Sequence, residues 1–337
     1  MAKQALIDLV YQDYINYLPV SPQSLHAQAC SSDDITVKSW RQIWEKNIKK
    51  NHATYKSFSE NGIGKLYGFT HQKPVLIAGA GPSLKSNIQD LKDKKDITLI
   101  SCLHNFHFME DNEIEVDFYV TLDAGEVTIE EVTEGGKKSE EEYWAMTAKR
   151  TLLAYIGSSP NLLAKWQGKI IFFNCPVPNS EFMAFVDSVE VFNSYVSTGG
   201  NVLGASFYIA KAIFGASIIG FLGADFCFSY DKKFHPFDSK YDANLGNVLK
   251  ARDVFGLPVL TWQSYYNFKG WFEYVCSTVP GIYYNCSEGG TLGAYEQGNI
   301  RSILQIPLKD FIRQMTMFEE IQEQMINPQT KDKKLLF

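Results

Sequence analysis

From Pro74 onward the chain alternates short, continuously apolar runs with stretches of helical periodicity, and this rhythm constrains its fold more than any other feature. The runs at residues 75–78, 97–100, 118–122, 152–156, 170–173, 218–222 and 259–262 each read as a strand apolar on both faces. A strand buried on one face alternates polar and apolar residues; one covered by helices on both sides does not. The expected fold class is α/β: a Rossmann-like, mostly parallel sheet with helices on both faces, plus helical N- and C-terminal extensions. Residues 1–70 read as the N-terminal extension. Ser31, Ser32, Asp33 and Asp34 offer capping side chains, and Trp40, Ile43, Trp44 and Ile48 follow at helical spacing. Gly62, Gly64 and Gly68 then punctuate the link to a nucleotide-binding core over residues 71–299, in which 84–93 reads as the first helix. Residues 300–337 read as a C-terminal helical appendix around Ile306 and Pro307, ending in a polar tail.

The formal net charge of -6 argues against a broad nucleic-acid-binding face. Cys30, Cys102, Cys175, Cys227, Cys276 and Cys286 are scattered without a C-x-x-C pair, which fits reduced, mostly buried thiols. The first residues hold no apolar run of signal-peptide length, so the expected location is cytoplasmic. The apolar stretch 202–228 is broken by Lys211, Asp225 and several glycines, and reads as a buried helix and strand rather than a membrane span. The acidic segment 126–142 reads as solvated surface, with a mobile lid as the alternative.

The turn after the first core strand, Gly79-Ala80-Gly81-Pro82-Ser83-Leu84, is the strongest local signal. Its glycines permit tight geometry and close approach of a ligand to the backbone, and a helix N-terminus favours an anion. Leu84 stands where a dinucleotide fingerprint has its third glycine, and no P-loop occurs in the chain. The alternative is a tight strand–helix turn without a ligand. Ser197-Thr198-Gly199-Gly200-Asn201 precedes an apolar helix over 202–214, where Ser197 or Thr198 could cap and the glycines would leave the N-terminus open to an anion. Asp123 and Asp225 end strands at the edge where open α/β sheets bind ligands; each could hold a hydroxyl or metal, or simply cap a helix. His104 and His107 lack a third ligand for zinc, which leaves Asn105 as the better candidate in that loop, for a base or sugar edge. His235 could serve as acid or base, or be an ordinary loop histidine; Glu288 with Gly289 and Gly290 could complete a pocket or form a polar turn.

In order along the chain, the 75–84 stretch, Asn105, Asp123, Gly199-Gly200-Asn201, Gly223-Ala224-Asp225, His235 and Glu288-Gly289-Gly290 resemble the domain of unknown function 115 group over roughly residues 70–300. That group includes the motility-associated factors implicated in flagellin glycosylation and the archaeal 6-hydroxymethylpterin diphosphokinases. The first loop, Asn105 and the Gly-Ala-Asp strand end are also similar to the bacterial sialyltransferases of glycosyltransferase family 42, which use CMP-sialic acid on a Rossmann-like fold without a bound metal. The later-loop catalytic histidine of family 42 has no counterpart here, and His235 matches the histidine of the wider group instead.

The resemblance implies a glycosyltransferase using a nucleotide-activated sugar, with a CMP-linked nonulosonic acid as the sharper expectation. Gly79, Ala80, Gly81, Pro82, Ser83, Thr198, Gly199, Gly200, Asn201 and Glu288 would surround the donor, and Asn105 would contact nucleotide or sugar. His235, Asp225 and Asp123 would carry acid–base work. A nucleotide-sugar donor and an acceptor protein or glycan are the expected partners, with no nucleic acid and no membrane span; an oligomer is open. No metal is expected under this reading. The alternatives are a diphosphokinase moving pyrophosphate from ATP, with Mg²⁺ on Asp123, Asp225 and Glu288, and a non-catalytic nucleotide-binding protein.

Overall fold

The four residues of strand β1 (Val75–Ala78) are all fully buried, so both faces of this strand are covered. The computed structural model describes residues 22–70, 73–177, 179–191, 195–230, 235–236, 248–294 and 300–326. Around β1 it assembles β2 (Thr98–Cys102), β3 (Phe118–Thr121), β4 (Thr151–Tyr155), β5 (Lys169–Phe173), β6 (Ile218–Leu222), β9 (Ile282–Asn285) and β10 (Leu304–Gln305) into one sheet of order β10-β9-β6-β1-β2-β3-β4-β5. Every pairing in it is parallel, with Val75 opposite Thr98 on one side and Ile219 on the other. Helices surround the sheet, so the expected α/β class holds.

The chain builds β1 to β5 outward in one direction, then returns to place β6 on the other side of β1. The carboxyl ends of β1 and β6 therefore flank a topological switch point, the place where such sheets open a crevice. The return passes through α7 (Ser180–Val189) and α8 (Val202–Tyr208), after which one π-helical turn, Ile209–Ile213, leads towards β6.

Three local expectations change. Residues 258–262 do form a strand, β8 (Pro258–Trp262), but it pairs antiparallel with β7 (Val248–Arg252) in a hairpin outside the main sheet. The N-terminal helix α1 (Pro22–Tyr55) runs through residues 31–34, so those polar side chains do not start it. Residues 300–307 are not helical: Leu304–Gln305 adds the eighth strand, and α10 (Leu308–Ile326) begins after Pro307. The 84–93 segment is α2 (Leu84–Asn87) continued as a 3-10 turn, Ile88–Asp93.

Helix α1 is fastened to the carboxyl edge of the sheet by two buried amides one turn apart. Asn47 donates to the carbonyls of Ala124 (3.0 Å) and Gly157 (3.1 Å), and Asn51 to those of Ile156 and Ser158 (both 2.9 Å). These loop carbonyls have left the sheet ladder and need donors, which the helix supplies. Among the described residues no helix is long and apolar enough to cross a membrane, and the described cysteines are free, buried thiols.

Candidate functional site

At the switch point the loops after β1 and β6 interlock. Gly79 N–H donates to the Leu222 carbonyl and Gly81 N–H to that of Gly223, each at 2.8 Å. A Cβ on Gly79 or Gly81 would lie 2.6 or 2.5 Å from the Gly223 oxygen, so this contact alone demands both glycines. Ser83 then donates its N–H (2.7 Å) and hydroxyl (2.5 Å) to the two oxygens of Asp225. Three of the loop's four N–H groups are thus engaged by protein, and the Asp225 carboxylate holds the start of α2, where sequence reasoning would put a phosphate. Pro82 has no N–H to offer.

Asn105 lies wholly buried beneath this loop, donating to the Gly79 carbonyl at 2.8 Å. Glu288 faces away from it: Oε1 accepts from Leu308 N–H at 3.1 Å, capping α10, and from Asn87 Nδ2 at 3.4 Å. The third loop closes on Asp225 from behind, where Thr291 donates both N–H (2.7 Å) and hydroxyl (3.0 Å) to its carbonyl.

A histidine pair adjoins the β1 loop. His235 Nδ1 lies 3.0 Å from the Ala80 carbonyl; since a carbonyl only accepts, that nitrogen carries a proton. The His235 ring lies 4.1 Å, centroid to centroid, from that of His104. His104 Nδ1 is 3.5 Å from Glu131 Oε2, on α4 (Val127–Glu131). His104 has no metal-ligand spacing in the sequence to mark it; its contact with His235 is formed only by the fold. Residues 231–234, which precede His235, lie outside the described residues.

Beside this pair a cleft of about 610 Å³ opens at the carboxyl edge. Asp123, Tyr155, Thr198, Gly200 and Asn201 line it from the sheet side, with Trp40 and Trp44 of α1 and Phe268 of α9 (Gln263–Thr278) also in its lining. Asn201, not Ser197 or Thr198, caps α8: its side chain accepts from Gly204 N–H at 2.8 Å. Thr198 instead accepts from Gly200 N–H within the turn. Gly199 and Gly200 have φ of 55° and 87° and pack against Trp271 and Phe268, where a Cβ would collide with the rings. The aromatic lining was invisible as a site in the sequence, because core-facing and cleft-facing rings have the same helical spacing.

Two carboxyls here are pushed upward. Asp123 is solvent-exposed on the cleft, yet protein crowded around its carboxyl raises it to about 6 by desolvation; Glu131 adds to the push and His104 opposes it. Burial likewise raises Asp225 to about 6 against the pull of its Ser83 bonds. Apart from Glu288, which caps α10, the sequence-derived candidates therefore separate into two neighbourhoods. The 79–83 loop, Asn105, Asp225 and His235 form one. Asp123, Thr198, Gly200 and Asn201 form the other, and His104 lies electrostatically between.

The family described as 6-hydroxymethylpterin diphosphokinase MptE-like matches residues 46–231, which include β1 to β6 and both switch-point loops. The chain belongs to this family. The motif resemblance to the domain of unknown function 115 group holds at that level. No curated protein matches this MptE-like chain. Among solved structures, the MAf glycosyltransferase from Magnetospirillum magneticum AMB-1 is similar at 15% identity and a TM-score of 0.49. The similarity covers 74% of this chain and 37% of that one, so the chain spans little more than a third of that protein's length.

Proposed function

We propose that this MptE-like chain is a glycosyltransferase that takes a sugar from a nucleotide-activated donor, in the sharper form a CMP-linked nonulosonic acid, and passes it to a hydroxyl acceptor. The observation that carries the reading is Asp123, a carboxyl raised to about 6 that opens on a cleft beside the His104–His235 pair. A base with a pKa near the working pH and a histidine with a fixed tautomer are what transfer to a hydroxyl requires. The acceptor oxygen bonds the anomeric carbon as the bond from that carbon to the donor phosphate breaks. The hydroxyl proton passes to Asp123, and the nucleotide leaves as an anion beside His235. Ala80 N–H, the loop amide that no acceptor among the described residues engages, supplies a donor for the phosphate. The choice of cytidine rests on the motif similarity to family 42.

The family description favours a second reading, pyrophosphoryl transfer from ATP with Mg²⁺ on carboxylates. Against it, Asp225 is committed to Ser83 and Glu288 to Leu308, while Asp123 faces the cleft, so the three carboxylates serve three separate places. A thermal-shift and calorimetric series with CMP, CDP, UDP, GDP and ATP, each with and without Mg²⁺, separates the readings. Stabilisation by CMP independent of metal, followed by turnover of a CMP-sugar, is the expected result. A response confined to ATP with Mg²⁺ moves the assignment to the diphosphokinase, and nucleotide binding without turnover of any donor leaves a binding protein.

A further inference from the structure

The cleft itself contains a group that nothing so far uses. Tyr155 ends β4 and is 3% exposed, yet its buried hydroxyl has no hydrogen-bond partner among the described residues. Its ring meets the edge of Trp44 (centroids 6.2 Å apart), and Gly157 leaves room where a Cβ would strike it at 2.6 Å. A buried O–H left unpaired costs free energy, so such a group in a cleft wall points to a ligand that pairs it.

We propose that this cleft is the seat of a neutral carbohydrate acceptor, whose hydroxyls pair with the Tyr155 hydroxyl and Asp123 while its faces lie against Trp40, Trp44 and Phe268. Three observations select this class. The lining combines aromatic rings with uncharged polar side chains, Thr198, Ser264 and Asn267, a mixture suited to an alternation of C–H faces and hydroxyls. Among the described residues the one charged side chain in the lining is Asp123, with Glu131 behind it, and no cation lines the cleft, so an acceptor seated there gains more from hydroxyls than from a negative charge. The lining is also split in origin: Asp123, Tyr155 and Thr198 fall inside the family match at 46–231, whereas Trp40, Trp44 and Phe268 fall outside it. Walls contributed from outside the matched segment leave room for a ligand particular to this chain. The inference rests on the transferase reading only in calling the bound sugar an acceptor.

Saturation-transfer NMR on the full chain tests it, using methyl glycosides of glucose, galactose and N-acetylglucosamine and their 1,4-linked disaccharides. At least one probe should bind, and CMP should add to it rather than displace it. Tyr155→Phe removes only the unpaired hydroxyl, so it should fold at least as stably as wild type, leave CMP binding unchanged and weaken glycoside binding about fivefold to tenfold. No binding by any probe, wild-type binding by Tyr155→Phe, or competitive displacement by CMP would each overturn the proposal. Glycoside binding without any nucleotide response sinks the donor reading and leaves the cleft; the converse pattern sinks the cleft alone.

Discussion

The carboxylate of Asp225, delivered from the end of β6, clasps both the backbone N–H and the hydroxyl of Ser83 in the loop after β1. Burial raises this carboxyl from its ordinary 3.8 to about 6, which means that the folded protein binds the proton more tightly than the unfolded chain. The corresponding stability is complete below about pH 3.8 and is lost as pH rises through 6, a change of up to about 3 kcal/mol. Asp225→Asn does not titrate, and its amide oxygen can still accept from Ser83 N–H. Urea denaturation from pH 4 to 7 should therefore show wild type losing stability relative to Asp225→Asn as pH rises. Parallel curves would show that the clasp does not titrate in this range.

The same clasp predicts unequal responses from two glycines. Gly81→Ala would place a Cβ 2.5 Å from the Gly223 oxygen and 2.7 Å from the Asp225 carboxyl carbon, in a backbone already tied to Gly223. It should cost about 3 kcal/mol and flatten the pH dependence attributed to Asp225, because relief of the overlap opens the clasp. Gly68 has a φ of 72° with nothing within 4 Å of its would-be Cβ, so Gly68→Ala should cost only backbone strain of about 1 kcal/mol and keep the pH dependence. Equal losses with equal pH curves would refute the packing account of Gly81.

How far the sequence reveals this arrangement depends on the kind of contact. Strands β1 to β6 are legible to within a residue or two, because a strand buried on both faces must be continuously apolar, as Ile218–Leu222 is. The 258–262 run carries the same signal but belongs to a hairpin, since an apolar run states that it is covered and not by what. Leu304–Gln305 is two residues long, with Leu304 45% exposed, and leaves no pattern to find. In the site, Gly79 and Gly81 stand out as residue types while their reason, the approach of Gly223, is a tertiary fact. The contact of the His104 and His235 rings and the unpaired hydroxyl of Tyr155 are likewise made by the fold and have no local signature.

If Asp123 removes the acceptor proton, it must be ionised to work. The acid limb of kcat/KM against pH should then rise through about 6, the value to which the cleft and Glu131 push this carboxyl. Asp123→Asn should lower kcat/KM by about 10² to 10⁴ and abolish that limb, while nucleotide affinity changes by no more than about twofold. An acid limb that survives the substitution belongs to another group, and the role of Asp123 as base falls.

His235 has two functions that one pair of substitutions can separate. Nδ1–H holds the Ala80 carbonyl at 3.0 Å, a contact that ties this residue to the first loop, and Nε2 is the nitrogen proposed to act on a leaving phosphate. An asparagine amide nitrogen occupies nearly the position of Nδ1, so His235→Asn keeps the loop contact and removes the reactive nitrogen. His235→Ala removes both. Nucleotide affinity should stay within about twofold of wild type in the asparagine variant and weaken about fivefold or more in the alanine variant, the loss expected for one hydrogen bond that orders a binding loop. Transfer activity should fall at least about 10²-fold in both. Full activity in His235→Asn would mean that the histidine only braces the loop, and the search for the acid would pass to His104, whose ring lies 4.1 Å away.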